Sequence, residues 1–307
     1  MTDTATETAP LDLVIRGGTV YDGAGGPGVR ADVAVRGDRI VGEGPIASRG
    51  AAELDATGLA VSPGYIDVHT HDDFAVLLDP AMAFKVMQGV TTDIVGNCGS
   101  GVVPFQAGLQ RFSRFTPGAA PPRWESFATY LARVQEAGPS LNVATLIGHG
   151  TLRTGAMGNE QRAPSPAELD QMRAWVREGV EAGAVGLSTG LIYEPGRYAR
   201  ADEVVELGPD GGLHYARDER VLDLPAAIHK MTGMPAAKFR LADRGVLRAG
   251  AFADLVVFDP ARIRDAATYE DPRRFPEGIR AVYVNRTAVA RDGAHTGARP
   301  GRALRRR

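Results

Sequence analysis

The residue types best suited to chemistry are His69-Thr70-His71 and Cys98. The histidines close the run Gly64–His71 (GYIDVHTH), which reads as a β-strand. Residues i and i+2 of a strand project from one face, so both imidazoles can converge on one point. Neutral imidazole is a common zinc ligand, and two of the six histidines fall in this three-residue window. The competing reading is a pair of hydrogen-bonded polar residues at a strand end. Cys98, the only cysteine, follows a second expected strand, Thr91–Val95, in the run Val95-Gly96-Asn97-Cys98-Gly99-Ser100. Neighbouring parallel strands bring their C-terminal ends together, so this thiolate can join the histidines on one metal ion. Its other reading is a small buried hydrophobe.

Elements that could position these groups alternate along the middle of the chain. After the strands at 64–71 and 91–95 come Asn142–Ile147 and Ala184–Ser188, with helices expected over Pro80–Gln88, Trp124–Gln135 and Ser165–Gly183. The last opens on Ser165-Pro166 with Glu168 completing a capping box. Strand–helix alternation predicts a parallel α/β array. A short helix is expected at Ala201–Leu207, then a turn cluster at Leu207–Leu213 and a helix at Leu224–Thr232.

The two chain ends differ from this middle. Leu11–Arg16 and Thr19–Tyr21 read as short strands separated by Gly17-Gly18, and Ala31–Arg36 with Arg39–Gly42 reads as a hairpin around Gly37-Asp38. Strand texture returns at Asp254–Phe258, Ala281–Asn285 and Ala288–Arg291. The ends thus predict two halves of one β module around an inserted α/β unit, with boundaries 1–61, 62–243 and 244–307. The arginine-rich tail, Arg302–Arg307, is expected to fray in solvent.

Composition narrows the partners. With 307 residues, 35 basic against 37 acidic side chains and a net charge of −2, nothing favours nucleic acid or an acidic membrane surface. No apolar run approaches the ~18 residues of a membrane span, and Met1–Pro10 has no secretory pattern. One cysteine makes no intrachain disulfide. A cytoplasmic protein acting on a small molecule is the expectation.

The run Ser62–Asp73 (SPGYIDVHTHDD) resembles the first-strand motif of the amidohydrolase superfamily. Gly89-Val90-Thr91-Thr92 with Gly96-Asn97-Cys98-Gly99 narrows the resemblance to the N-acyl-D-amino-acid deacylase (D-aminoacylase) family. So do Gly148-His149-Gly150, Gly186–Tyr193 (GLSTGLIY) and Ala253–Pro260 (ADLVVFDP). The resemblance implies a TIM-type (β/α) barrel inserted into a small β-sandwich formed by both chain ends. It also implies zinc held by His69, His71 and Cys98, and hydrolysis of N-acyl-D-amino acids to a carboxylate and a D-amino acid. Tyr193 and His149, on loops after the fourth and third strands, are the candidate substrate contacts, each with an ordinary structural reading beside it.

Family members carry two further zinc histidines and a catalytic aspartate on later barrel strands, and no matching positions stand out here. A complete barrel takes about 250 residues and eight strands; residues 62–243 offer four. The expected fold is therefore an incomplete barrel, with its junction near 205–213. The general acid/base is unassigned, Asp72, Asp73, Asp210 and Asp218 being candidates by charge alone. Three consequences are open: a shortened zinc deacylase, a homodimer closing eight strands between two chains, or an internally deleted remnant without turnover. A related cyclic-amide hydrolase is the other enzymatic reading, and Asn97-Cys98-Gly99 argues against it.

Overall fold

The structure, a computed structural model, describes residues 10–113, 118, 120–200, 203–204, 207, 223–268, 270–271 and 273–306. The expected turn cluster at 208–213, with Asp210, His214 and Asp218, lies outside the described residues, as does most of the expected helix at 201–207.

Both chain ends build one β unit. From the N-terminal end come β1 (Leu11–Val20), β2 (Val29–Arg36), β3 (Arg39–Gly44), β4 (Gly50–Asp55) and β5 (Ala60–Pro63). The C-terminal end supplies β10 (Leu255–Phe258), β11 (Ile279–Val284), β12 (Thr287–Arg291) and β13 (Ala294–His295). The two strands expected around Gly17-Gly18 are one strand with a bulge, where pairing with β2 shifts register between Ile15 and Gly18. The glycines are required: Gly17 has φ of 65°, and a Cβ on Gly18 would sit 2.6 Å from Val61 Cγ2. On β1's other side the first half pairs with β4 and the second with β5, which continues into β10. All nine strands thus join in one hydrogen-bonded array instead of two independent sheets. It wraps a shared core in which Leu13, Ile15, Val33 and Val35 meet Leu255, Val257 and Tyr283.

The inserted unit is a four-stranded parallel sheet in the order β6 (Tyr65–Asp67), β7 (Val90–Val95), β8 (Asn142–Gly148), β9 (Gly186–Ser188). Helices with described bounds are α1 (Ala75–Leu78), α2 (Ala83–Val86), α3 (Phe105–Phe112), α4 (Phe127–Ala137), α5 (His149–Met157), α6 (Pro166–Ala182), α7 (Leu224–Met231) and α8 (Gly233–Lys238). One face of the sheet, with Val95, Val143 and Ile147, packs on Phe127, Leu131 and Val134 of α4 and Met172 and Val176 of α6. The capping box of α6 forms as expected, Ser165 accepting from Glu168 N–H and Glu168 from Ser165 N–H. Helices α1, α3, α5 and α8 lie outside the expected set; α5 (HGTLRTGAM) lacks an apolar period and owes its form to burial of His149–Arg153.

The opposite face, with Ile66, Ile94, Ala144 and Leu146, would line a complete barrel. Here Ala236 and Leu241 cover it, with Phe239 and Leu304 beside them. The tail is not frayed: Arg302 O accepts from Val143 N–H, Leu304 N–H donates back to Val143 O, and Arg306 N–H donates to Gly183 O. It thereby pairs with the start of β8, on the side that β9 reaches only later.

A buried polar cluster joins the two units. Arg244 pairs with Asp254 and donates to Asn285 Oδ1 at 3.0 Å. Asn142 Nδ2 lies 3.3 Å from Asp254 Oδ2, and Asn285 Nδ2 donates to Asn142 Oδ1 at 2.9 Å.

Candidate metal centre

Strand β6 is shorter than the expected run 64–71, and its last side chain is the cause. Asp67 Oδ1 accepts the His69 backbone N–H at 3.0 Å, which turns the chain out of the strand. His69 and His71 therefore sit on a loop beyond β6, not on the strand itself. They still meet Cys98: one ligand atom from each of the three residues lies within 4.8 Å of the others. His69 Nε2 is 3.1 Å from Cys98 Sγ, and the imidazole centroids are 6.0 Å apart, edge to face. Tetrahedral zinc with Zn–N near 2.1 Å and Zn–S near 2.3 Å separates such donors by about 3.6 Å, so the spacing and the donor set both suit zinc. Both histidines are exposed and Cys98 half-buried, leaving the centre open on one side.

Backbone geometry aims the thiol. Cys98 has φ of 54°, between Gly96 at 88° and Gly99 at 71°. A side chain on Gly96 would collide with the Leu146 carbonyl, whose carbon lies 2.9 Å from the ideal Cβ. Asn97 Nδ2 donates to Ile94 O at 2.7 Å and to Thr70 O at 3.3 Å, tying the cysteine loop to the histidine loop. Ser188, at the end of β9, accepts Gly99 N–H at 3.1 Å and donates to Gly96 O.

Arg111 of α3 is one of the charges near the centre; it donates to Ser100 Oγ and, at 2.9 Å, to Glu194 O. Burial foremost, then His69, depresses the His71 pKa, with Arg111 adding to the effect and Asp72 opposing it. Burial raises the Cys98 thiol, and Arg111 opposes that rise. Of the two described acid/base candidates, Asp72 accepts the Thr70 hydroxyl, and Asp73 is buried with its carboxyl pushed up to about 7 by desolvation. Sequence reasoning had not singled out Arg111 or Ser188. Their signal is weak, since each acts through a loop distant in sequence.

The two candidate substrate contacts are placed differently. His149 is fully buried at the start of α5; its Nδ1 lies 3.1 Å from Thr189 Oγ1 and its Nε2 2.9 Å from Glu203 Oε1. Both ring nitrogens thus face protein groups. Tyr193 is 52% exposed on the loop after β9, beside exposed Leu191 and Ile192. That loop lies against the thiol loop, because the ideal Cβ of Gly190 falls 2.8 Å from the Cys98 carbonyl carbon and 3.0 Å from Tyr193 Cδ2.

The amidohydrolase family model matches residues 52–208 and 197–289, two segments that meet where the sequence suggested a junction. The D-aminoacylase of Alcaligenes xylosoxydans xylosoxydans is 28% identical, across 98% of this chain and 99% of its own. That alignment runs over 477 positions against 307 residues here, so at least 170 positions have no counterpart in this chain. A solved N-acyl-D-glutamate deacylase from Bordetella bronchiseptica, complexed with zinc and a phosphonate mimic of the tetrahedral intermediate, is 26% identical with a TM-score of 0.84. It covers 96% of this chain and 100% of that one. A D-aminoacylase structure described for its binuclear metal centre superposes with a TM-score of 0.85 at 26% identity, over 97% and 100% of the two chains. These relatives are hydrolases of amide C–N bonds outside peptides, and by the extent of the family match this chain is a member of the amidohydrolase family.

Proposed function

We propose that this chain is a zinc-dependent amidohydrolase acting on N-acyl-D-amino acids, with His69, His71 and Cys98 as its metal ligands. The observation that carries the reading is the convergence of these three donors on one open point beyond β6 and β7. Zinc, when bound, supplies Lewis acidity toward an amide carbonyl and toward water. Burial and then His69 lower the His71 pKa, which favours the neutral imidazole that can coordinate a metal. Arg111 eases loss of the Cys98 proton and, through Ser100 and Glu194, fixes the loops on two sides of the centre. Tyr193, with Leu191 and Ile192, presents an exposed surface on the loop against Cys98 where a substrate's side chain or carboxylate can rest. His149, bonded to Thr189 and Glu203, holds the root of that same loop.

The at least 170 alignment positions without counterpart favour a second reading, a zinc-binding protein without turnover. Assays on N-acetyl-D-methionine, N-acetyl-D-glutamate and N-acetyl-D-aspartate with added zinc separate the two. Release of D-amino acid that disappears in Cys98→Ala supports the hydrolase. One zinc per chain without release supports the second reading, and zinc content unchanged in Cys98→Ala rejects the ligand assignment. A homodimer that closes eight strands between two chains would have to displace Ala236, Phe239 and Leu241 from the sheet face they cover. Light scattering at micromolar concentration tests this, and a monomer ends it.

A further inference from the structure

Both histidines ride on a short loop, and the side chains flanking them converge on one cation from another element. Lys85 of α2 is 14% exposed at its side chain. Its Nζ donates to Asp67 Oδ2 at 2.6 Å and to Thr70 Oγ1 at 3.0 Å, and lies 3.1 Å from Asp72 Oδ2. An ammonium has three N–H donors, so these three oxygens use all of them. The partners at 67, 70 and 72 precede, separate and follow the two histidines. Asp67 spends its other oxygen on His69 N–H, and Asp72 also accepts the Thr70 hydroxyl. The bonds therefore interlock, so movement of either histidine's backbone strains the same ammonium.

We propose that Lys85 is a positioning residue for the metal centre, its ammonium fastening both ends of the His69–His71 loop so that the two imidazoles face Cys98 before any metal arrives. The inference rests on the reading of these residues as metal ligands. A lysine suits this place better than an arginine, whose planar fork favours one carboxylate over three divergent oxygens. Removing the charge would leave Asp67 and Asp72 facing each other across the loop, with Asp93 buried behind them. Groups that orient metal ligands typically contribute 10–100-fold to metal affinity.

Lys85→Met and the milder Lys85→Gln, which keeps an N–H donor, test this on the full chain by two measurements. Amide hydrogen exchange in the metal-free protein reads the fastening alone. Exchange at residues 69–72 should quicken about tenfold or more in Lys85→Met and less in Lys85→Gln, while β7 and β8 keep their protection. Titration with Co²⁺, followed by thiolate-to-cobalt charge transfer, should show about 10–100-fold weaker binding in Lys85→Met. Unchanged exchange at 69–72, or protection lost throughout the chain in both variants, would overturn the proposal by making Lys85 irrelevant or merely structural. Cobalt affinity within twofold of the parent overturns it as well. If the parent itself binds no Co²⁺, the metal reading fails, and the exchange measurement still decides whether Lys85 fastens the loop.

Discussion

Substituting Gly190 by alanine should disturb the metal centre without touching a ligand. The added Cβ would overlap the Cys98 carbonyl oxygen, with the carbonyl carbon at 2.8 Å and Tyr193 Cδ2 at 3.0 Å. Carbon–carbon contacts are comfortable at about 3.5–4.0 Å, so one loop must retreat by roughly 0.7–1.2 Å. The nearest atoms are backbone of the cysteine loop, so its retreat carries the thiol with it. Metal–ligand distances tolerate only about 0.2 Å, so the retreat exceeds the tolerance several-fold. Zinc affinity should fall about 10–100-fold, measured by competition with a chromophoric chelator. Overpacking should also lower stability by about 1–3 kcal/mol in urea unfolding. Gly26→Ala is the control, since nothing lies within 4 Å of its ideal Cβ. Zinc affinity within twofold of the parent, with an unchanged unfolding midpoint, would refute the claim that the Gly190 contact sets the position of the thiol.

Three further outcomes are expected. Asp93 is buried and neither oxygen has a hydrogen-bond partner in ordinary geometry; burial, opposed by Lys85, holds its carboxyl well above the ordinary range. Its folded pKa exceeds the unfolded value of 3.8, so its contribution is intact below that pH and is lost as pH rises toward the folded value. Asp93→Asn should therefore gain stability over the parent as pH rises, and a melting-temperature difference that ignores pH would contradict this. Arg244→Met leaves Asp254 buried without its cation and should cost about 3–5 kcal/mol in urea unfolding; a loss below about 1 kcal/mol would mean water reaches the cluster. Arg286→Gly should stabilise by about 0.5–1 kcal/mol, because Arg286 holds φ of 79° in the β11–β12 turn and its ion pair with Asp12 is exposed. A net loss in the same assay would assign more to that ion pair than exposure allows.

The sequence was most legible where partners are near neighbours. His69, His71 and Cys98 announced themselves through type and spacing, and the cap of α6 through Ser165 and Glu168. The four parallel strands followed from alternation, and the β unit from the similar texture of the two ends. Legibility failed where one side chain ends an element: Asp67 ends β6 early, although 64–71 reads as one strand. It failed again where stability is borrowed from distant segments. The tail reads as solvated arginines, yet its backbone completes pairing at Val143, and α5 has no helical period of its own. Lys85 stood as one polar residue in an apolar stretch, and only the fold reveals what surrounds it.

The polar cluster of Asn142, Arg244, Asp254 and Asn285 bears on how such a gene can change length. Its members lie on both sides of the stretch where the two family matches meet, so none is lost when residues are removed or added there. In the unfolded chain, the cost of bringing Asn142 and Arg244 together grows only with the logarithm of the length between them. Restoring some 170 residues would change that term by about 1 kcal/mol. The closure term of the seam is thus nearly indifferent to the length between its two edges. A change of length at that junction leaves all four members of the cluster in the chain.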